Sequence, residues 1–205
     1  VRSERLGYTE RLLATESVGK RLMSKAKNKA KKPPALPRFQ ALSAAANEYG
    51  ERSFDNYAQI RSLAERIRKD LCAYMQHNHK CVFLVPPQGP FVNQNYGSGA
   101  FSVSGKGFLP LEPISFGLGI RVSESGDFMR LVLHCRKEGE RIYMQVDENK
   151  SYDFVLPVTD ADIDVCKEGL YQHLLRWFED RVERYDHGNY GTTDIGFDIQ
   201  RIENS

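Results

Sequence analysis

Two spacings of apolar residues alternate along this chain, and they predict where it is helical and where it is extended. Between residues 56 and 77, Ile60, Leu63, Ala64, Ile67, Leu71 and Met75 recur at intervals of three and four. That spacing predicts a helix with one buried stripe, leaving Arg61, Glu65, Arg66, Arg68 and Lys69 outside. A shorter Ala-rich helix is expected before it, over residues 39–49, ended by Gly50, with Ser53 or Asp55 capping the second. From residue 80 the pattern changes. Val82, Phe83, Leu84 and Val85 form a short apolar run of strand length, and Pro86, Pro87, Gly89 and Pro90 break it.

Period-two alternation then takes over. Phe116, Leu118, Ile120 and Val122 alternate with Gly117, Gly119, Arg121 and Ser123. Met129, Leu131, Leu133 and Cys135 alternate with Arg130, His134 and Arg136 in the same way. Ile142, Met144 and Val146 follow, then Tyr152, Phe154 and Leu156, with turns expected at Gly126, Gly139 and Asn149. Four such runs joined by short turns predict an antiparallel meander with one apolar and one wet face. Thr159 and Asp162 have the spacing of a capping box. Behind them Ile163, Cys166, Leu170, Leu174, Trp177, Phe178, Arg181 and Val182 predict a second long amphipathic helix, with Asp160, Asp162 and Asp164 at its positive end. Ile195, Phe197 and Ile199 suggest a last strand.

Two one-sided helices need one apolar sheet face. The expected fold class is therefore α+β: two layers, an antiparallel meander sheet of about four to six strands, and two long amphipathic helices packed on one face. Residues 91–113, rich in Gly, Ser and Asn, are too long for an ordinary connection and read as a functional loop or as unplaced short strands.

Charge separates the ends of the chain. Residues 17–47 hold eight basic side chains and no acid, while residues 1–16 balance three Arg against three Glu; the total of +2 leaves −6 for residues 48–205. Lys25, Lys27, Lys29, Lys31 and Lys32 sit in a stretch polar on all sides and closed by Pro33 and Pro34, so it has no face to bury. Residues 1–38 are expected to be a flexible basic arm and residues 39–205 a single α+β domain. Met23 begins a run with the form of a translation start, which sets residues 1–22 apart as an extension. No apolar stretch approaches the roughly 18 residues of a spanning helix, and residues 1–22 carry no secretory leader. A cytoplasmic protein with Cys72, Cys81, Cys135 and Cys166 as free thiols is the corresponding expectation.

Candidate chemistry is sparse. The glycines around Lys106 approach a phosphate loop, yet Ala100 and Gly107 stand where the pattern needs Gly and Ser or Thr. His77, His79 and Cys81 have soft ligand atoms but no second pair nearby, so no metal or cofactor is expected. Asp160, Asp162 and Asp164 lack the glycine and distal glutamate of a calcium loop. His134 and Cys135, as strand neighbours, point to opposite faces and cannot act together. Asp147, Glu148 and Lys150 resemble a nuclease set but fall at an expected turn. His173 reads as a boundary histidine beside the buried stripe. Were the chain an enzyme, a cleft under residues 91–113 and 185–191 would hold Lys106, Asp186 and His187 as its polar groups.

The clearest functional signal is the basic arm. Clustered lysines neutralise phosphates and release counterions. Arg121, Arg130 and Arg136, with Arg141, His134 and Tyr143, are expected on the wet sheet face, where basic and aromatic groups together could carry a nucleic acid strand. The sequence thus favours a non-catalytic binding or assembly protein, with nucleic acid or protein as partner. The alternatives are a small hydrolase or nuclease and a homo-oligomeric interaction module, dimerising through the sheet or the Trp177 helix.

Overall fold

The computed structural model describes residues 37–76 and 80–188, and the backbone of residues 197–201. The expected arm over residues 1–38 lies outside them apart from Pro37 and Arg38. Arg38 already belongs to the first helix, α1 (Arg38–Tyr74), which runs unbroken for 37 residues. The break expected at Gly50 does not occur. An exposed glycine inside a helix costs only about 1 kcal/mol, and the residues on both sides favour helix. Neither expected cap forms one: the Ser53 hydroxyl donates back to the Tyr49 carbonyl at 2.8 Å, and Asp55 accepts from Gln59 and Lys137.

The strands are β1 (Val82–Val85), β2 (Ile114–Arg121), β3 (Asp127–Glu138), β4 (Arg141–Gln145), β5 (Ser151–Val155) and β6 (Phe197–Arg201). They form an antiparallel sheet ordered β1-β2-β3-β4-β5, and β6 pairs with the first half of β3. The long β3 thus takes β6 beside Asp127 to Leu131 and β4 beside His134 to Glu138. Helix α2 (Asp160–Asp186) begins with the expected capping box: Thr159 Oγ1 accepts from the Asp162 amide at 3.2 Å, and the Asp162 carboxylate accepts from the Thr159 amide at 2.9 Å. The Thr159 hydroxyl also donates to the Asp162 carboxylate at 2.7 Å, and this bond, with that from the Thr159 amide, holds the carboxyl below its usual range.

The two-layer α+β arrangement is the one expected. Ile60, Leu63, Ile67 and Leu71 of α1 and Ile163, Cys166, Leu170 and Leu174 of α2 meet Leu84, Phe116, Leu118, Leu131, Leu133, Ile142 and Phe154 of the sheet in one core.

The long connection over residues 91–113 is a cover for the sheet rather than an open loop. It closes the β1 edge, because the Leu84 amide donates to Asn95 Oδ1 at 2.9 Å and the Leu84 carbonyl accepts from the Tyr96 amide at 3.0 Å. An edge strand so occupied cannot recruit another chain there. After the short 3-10 turn Gly97–Ala100, Phe101 bridges to Phe116 and packs edge-on against Tyr57 of α1.

Two expectations need correction. The face opposite the helices is not wet throughout: at its β1–β3 end Phe83, Val85, Phe91 and Phe128 form a second small core. Glycine makes this possible. A Cβ on Gly117 would stand 3.0 Å from the carbonyl oxygens of Val85 and Pro86, and one on Gly119 would stand 3.1 Å from the Phe91 ring. With no side chain at either position, the segment following β1 lies directly on the sheet. Second, Cys72 and Cys81 are disulfide-bonded, with Cα atoms 5.6 Å apart, and only Cys135 and Cys166 are free. The last turn of α1 and the start of β1 hold the pair side by side, and their spacing in sequence gives no sign of it.

Candidate functional site

The exposed half of the sheet face carries a groove of about 390 Å³, walled by Pro113, His134, Arg136, Tyr143, Gln145 and Asp147. Alternation on β3 and β4 aims His134, Arg136, Tyr143 and Gln145 away from the helices. His134 Nδ1 shares a 2.7 Å hydrogen bond with Ser115 Oγ across the strand pair. The Arg136 guanidinium lies 5.2 Å from the Tyr143 ring centre and 3.3 Å from Glu138. Cys135 points the other way, as expected, and burial raises its thiol far above the ordinary value. Cys166 is likewise pushed up to about 12 by burial. A nucleophilic cysteine needs a stabilised thiolate, so neither can serve as one.

Of the arginines expected on this face, Arg136 and Arg141 are exposed there, and each is paired with an acid, Arg141 with Asp153 at 2.6 Å. Arg121 is half-buried and donates to the Ser123 and Glu124 carbonyls. Arg130 is only 7% exposed. It lies 5.2 Å from the centre of the Phe91 ring and donates to the Gly89 carbonyl, and so ties the covering segment down. Its alternating position was legible in the sequence. That a loop would bury it was not.

A second polar cluster joins the turn after β4 to α2. Asp147 stands 3.4 Å from His173 Nε2, and Lys150 donates to the Gly169 carbonyl. Burial, with help from Lys150 and Arg176 and against the pull of Asp147, lowers the His173 pKa. Burial also lowers Lys150, aided by Arg176, and raises Tyr152. The Tyr152 hydroxyl rests so close to Gly169 that a Cβ there would collide with it. The group locks the sheet edge to the helix. Within the nuclease-like set, Lys150 and Asp147 both reach α2, and Asp147 also accepts from the Asn149 amide at 2.7 Å.

The other named positions are dispersed. Lys106 is exposed just after the turn over residues 101–105. Asp186 is the last residue of α2, and His187, also exposed, bonds its own Glu183 carbonyl at 2.7 Å. None of the three lines the groove, nor a cavity of about 420 Å³ beside Arg66 and Pro157, nor one of about 280 Å³ beside Arg121 and Tyr171. Lys25, Lys27, Lys29, Lys31, Lys32, His77, His79 and residues 189–191 of the 185–191 loop lie outside the described residues. Among the described residues no group of three acidic, histidine or cysteine side chains is placed to hold a metal ion, and no helix is long and apolar enough to cross a membrane.

The largest departure from the sequence reading is on α2. Phe178 and Val182 were expected in the buried stripe, but burial of that stripe ends at Leu174. Leu175 is 38% exposed, Phe178 36%, Val182 62% and Tyr185 66%. Helical spacing puts all four on one line. The signal was present in the sequence as a second apolar line beside the first, but two adjacent lines look like one wide stripe until the sheet shows where it stops.

These features define a two-layer α+β protein with apolar helix surface exposed. Compared with family models, with curated proteins and with solved structures, the chain matches none.

Proposed function

We propose that the chain is a non-catalytic binding and assembly protein, and that its folded part engages a protein partner through the helix layer. One observation carries this reading: Leu175, Phe178, Val182 and Tyr185 form a continuous exposed apolar line on α2. A contiguous apolar surface on a folded protein marks an interaction site far more often than scattered single residues do. The chemistry argues in the same direction, because both free thiols are buried with raised pKa values.

An apolar environment-sensitive dye tests the reading. Dilute protein should bind it, and the double variant Phe178→Glu, Val182→Glu should lose several-fold of the signal at an unchanged melting temperature. Val182→Glu alone, at the more exposed position, gives the same comparison should the double variant fold poorly. A dye signal indifferent to both changes would remove the surface from consideration.

The concentration of eight basic residues and no acid in residues 17–47 favours a second activity, contact with a polyanion. With Arg121 and Arg130 engaged within the fold, that contact would fall to the lysines. Deleting residues 24–32 should abolish salt-sensitive retention on single-stranded DNA or RNA and leave the melt unchanged. Retention that survives the deletion would eliminate this activity.

A further inference from the structure

We infer that the exposed line on α2 is the seam of a two-fold antiparallel dimer, its occupant being α2 of a second copy of this chain. The inference rests on the binding role proposed above and names the partner.

The case begins with the contact α2 already makes. Helices α1 and α2 run side by side in the same direction. Arg66 pairs with Asp160 at the start of α2, and Tyr74 meets Glu168 and the Tyr171 ring two to three turns later. Tyr171, Leu175, Phe178, Val182 and Tyr185 follow one another at steps of four, three, four and three, the spacing of a straight interhelical seam. Helix α1 covers that seam at Tyr171 and ends at Tyr74. Helix α2 continues to Asp186. The exposed line is thus an established helix–helix contact prolonged beyond the helix that makes it.

A helix that completes the seam has to enter from the end α1 leaves open. The α2 of a second copy does so when it runs antiparallel, and a two-fold axis then fills the same gap on both molecules at once. Side-chain size supports this direction. With the axis between Phe178 and Val182, Phe178 faces the second copy's Val182, and Leu175 faces the second copy's Tyr185. Each layer then sets a large side chain against a smaller one, which interdigitates at ordinary packing density. In a parallel pair Phe178 would meet Phe178 and Val182 would meet Val182, overfilling one layer and leaving the next short.

No charged residue occupies the four exposed seam positions, so closing them buries no charge. The seam from Leu175 to Tyr185 is about 15 Å long. Four side chains over that length are far fewer than the roughly 20–30 residues each partner contributes to a standard interface, so a reversible dimer of micromolar affinity is expected rather than an obligate one.

Sedimentation of the full chain from about 1 to 200 μM spans that range. The expected result is a monomer–dimer equilibrium that Val182→Glu weakens at least about tenfold, because a carboxylate would be buried without a partner. Direction is read by cross-linking. A mixture of the single variants Phe178→Cys and Val182→Cys should form a mixed disulfide in preference to either self-disulfide. Preferential self-linking of Val182→Cys would overturn the antiparallel pairing. A chain monomeric throughout that still binds the apolar dye would overturn the dimer yet leave the binding surface standing. Monomer without dye binding would end both.

Discussion

Replacing Gly117 with Val should destabilise the protein by at least about 3 kcal/mol, the upper part of the range for overpacking a closed site. The ground is the segment that follows β1. A Cβ at position 117 would lie 2.9 Å from Val85 Cγ2 and 3.0 Å from the carbonyl oxygens of Val85 and Pro86. Two of those three atoms are backbone, held by the β1–β2 ladder, in which Val85 is itself the partner of Gly117. Relief would require lifting the whole covering segment and opening the small core of Phe83, Val85, Phe91 and Phe128. Gly117→Ala should cost less, about 2 kcal/mol, because only the first methyl must be accommodated. Gly50→Ala is the control of opposite sign. It lies inside α1 with nothing within 4 Å of the added methyl, so it should stabilise by about 0.5–1 kcal/mol through helix propensity. Urea unfolding of the three variants checks the set. A Gly117→Val protein as stable as the parent would mean that the segment does not lie against β2.

The second large effect is expected at Arg130. Its guanidinium is 7% exposed, lies 5.2 Å from the centre of the Phe91 ring, and donates to the Gly89 carbonyl. Hydrogen bonds from a charged donor contribute about 1.5–3 kcal/mol each, and a buried acceptor left unsatisfied adds its own cost. Arg130→Met, which keeps much of the volume, should therefore cost about 2–4 kcal/mol. Lys at this position should recover part of that loss but not all, since an ammonium lacks the planar fork that stacks and donates together. Hydrogen exchange localises the effect: the amides of Leu84, Val92 and Tyr96, which bond where the covering segment meets β1, should lose protection in Arg130→Met while those of α2 keep theirs. Unchanged protection at Leu84, Val92 and Tyr96 would show that Arg130 does not hold that segment.

Both predictions concern the surface that the sequence marks as wet and basic. Alternation placed Arg130 on the correct face of β3, and the glycines of β2 were visible beside it. What the alternation could not report is that residues 86–91 return across that face. A residue opposite the helices is exposed only if nothing else lies on it, and the covering segment belongs to a different part of the chain. Arg121 and Arg136 instead take partners close in sequence, at the Ser123 and Glu124 carbonyls and at Glu138. The polyanion contact proposed above would therefore fall to the lysines of residues 25–32.

On α2 the misreading ran the other way. Helical periodicity measures amphipathicity about one axis, and it combined two neighbouring apolar lines into one. Only the extent of the sheet and the end of α1 at Tyr74 separate the line closed by Leu174 from the line that remains open through Tyr185.

The sequence by itself determined the class of fold, the meander of β2 to β5, the capping box at Thr159 and the inner faces of both helices. Each of these follows from local propensity and from a period of 2 or 3.6 that one segment carries alone. Tertiary structure alone decided the Cys72–Cys81 bond, the burial of Arg130 and the exposure of Phe178 and Val182. These depend on the distance between segments remote in sequence, and a side chain's spacing along its own strand or helix does not record what will arrive from elsewhere to cover it.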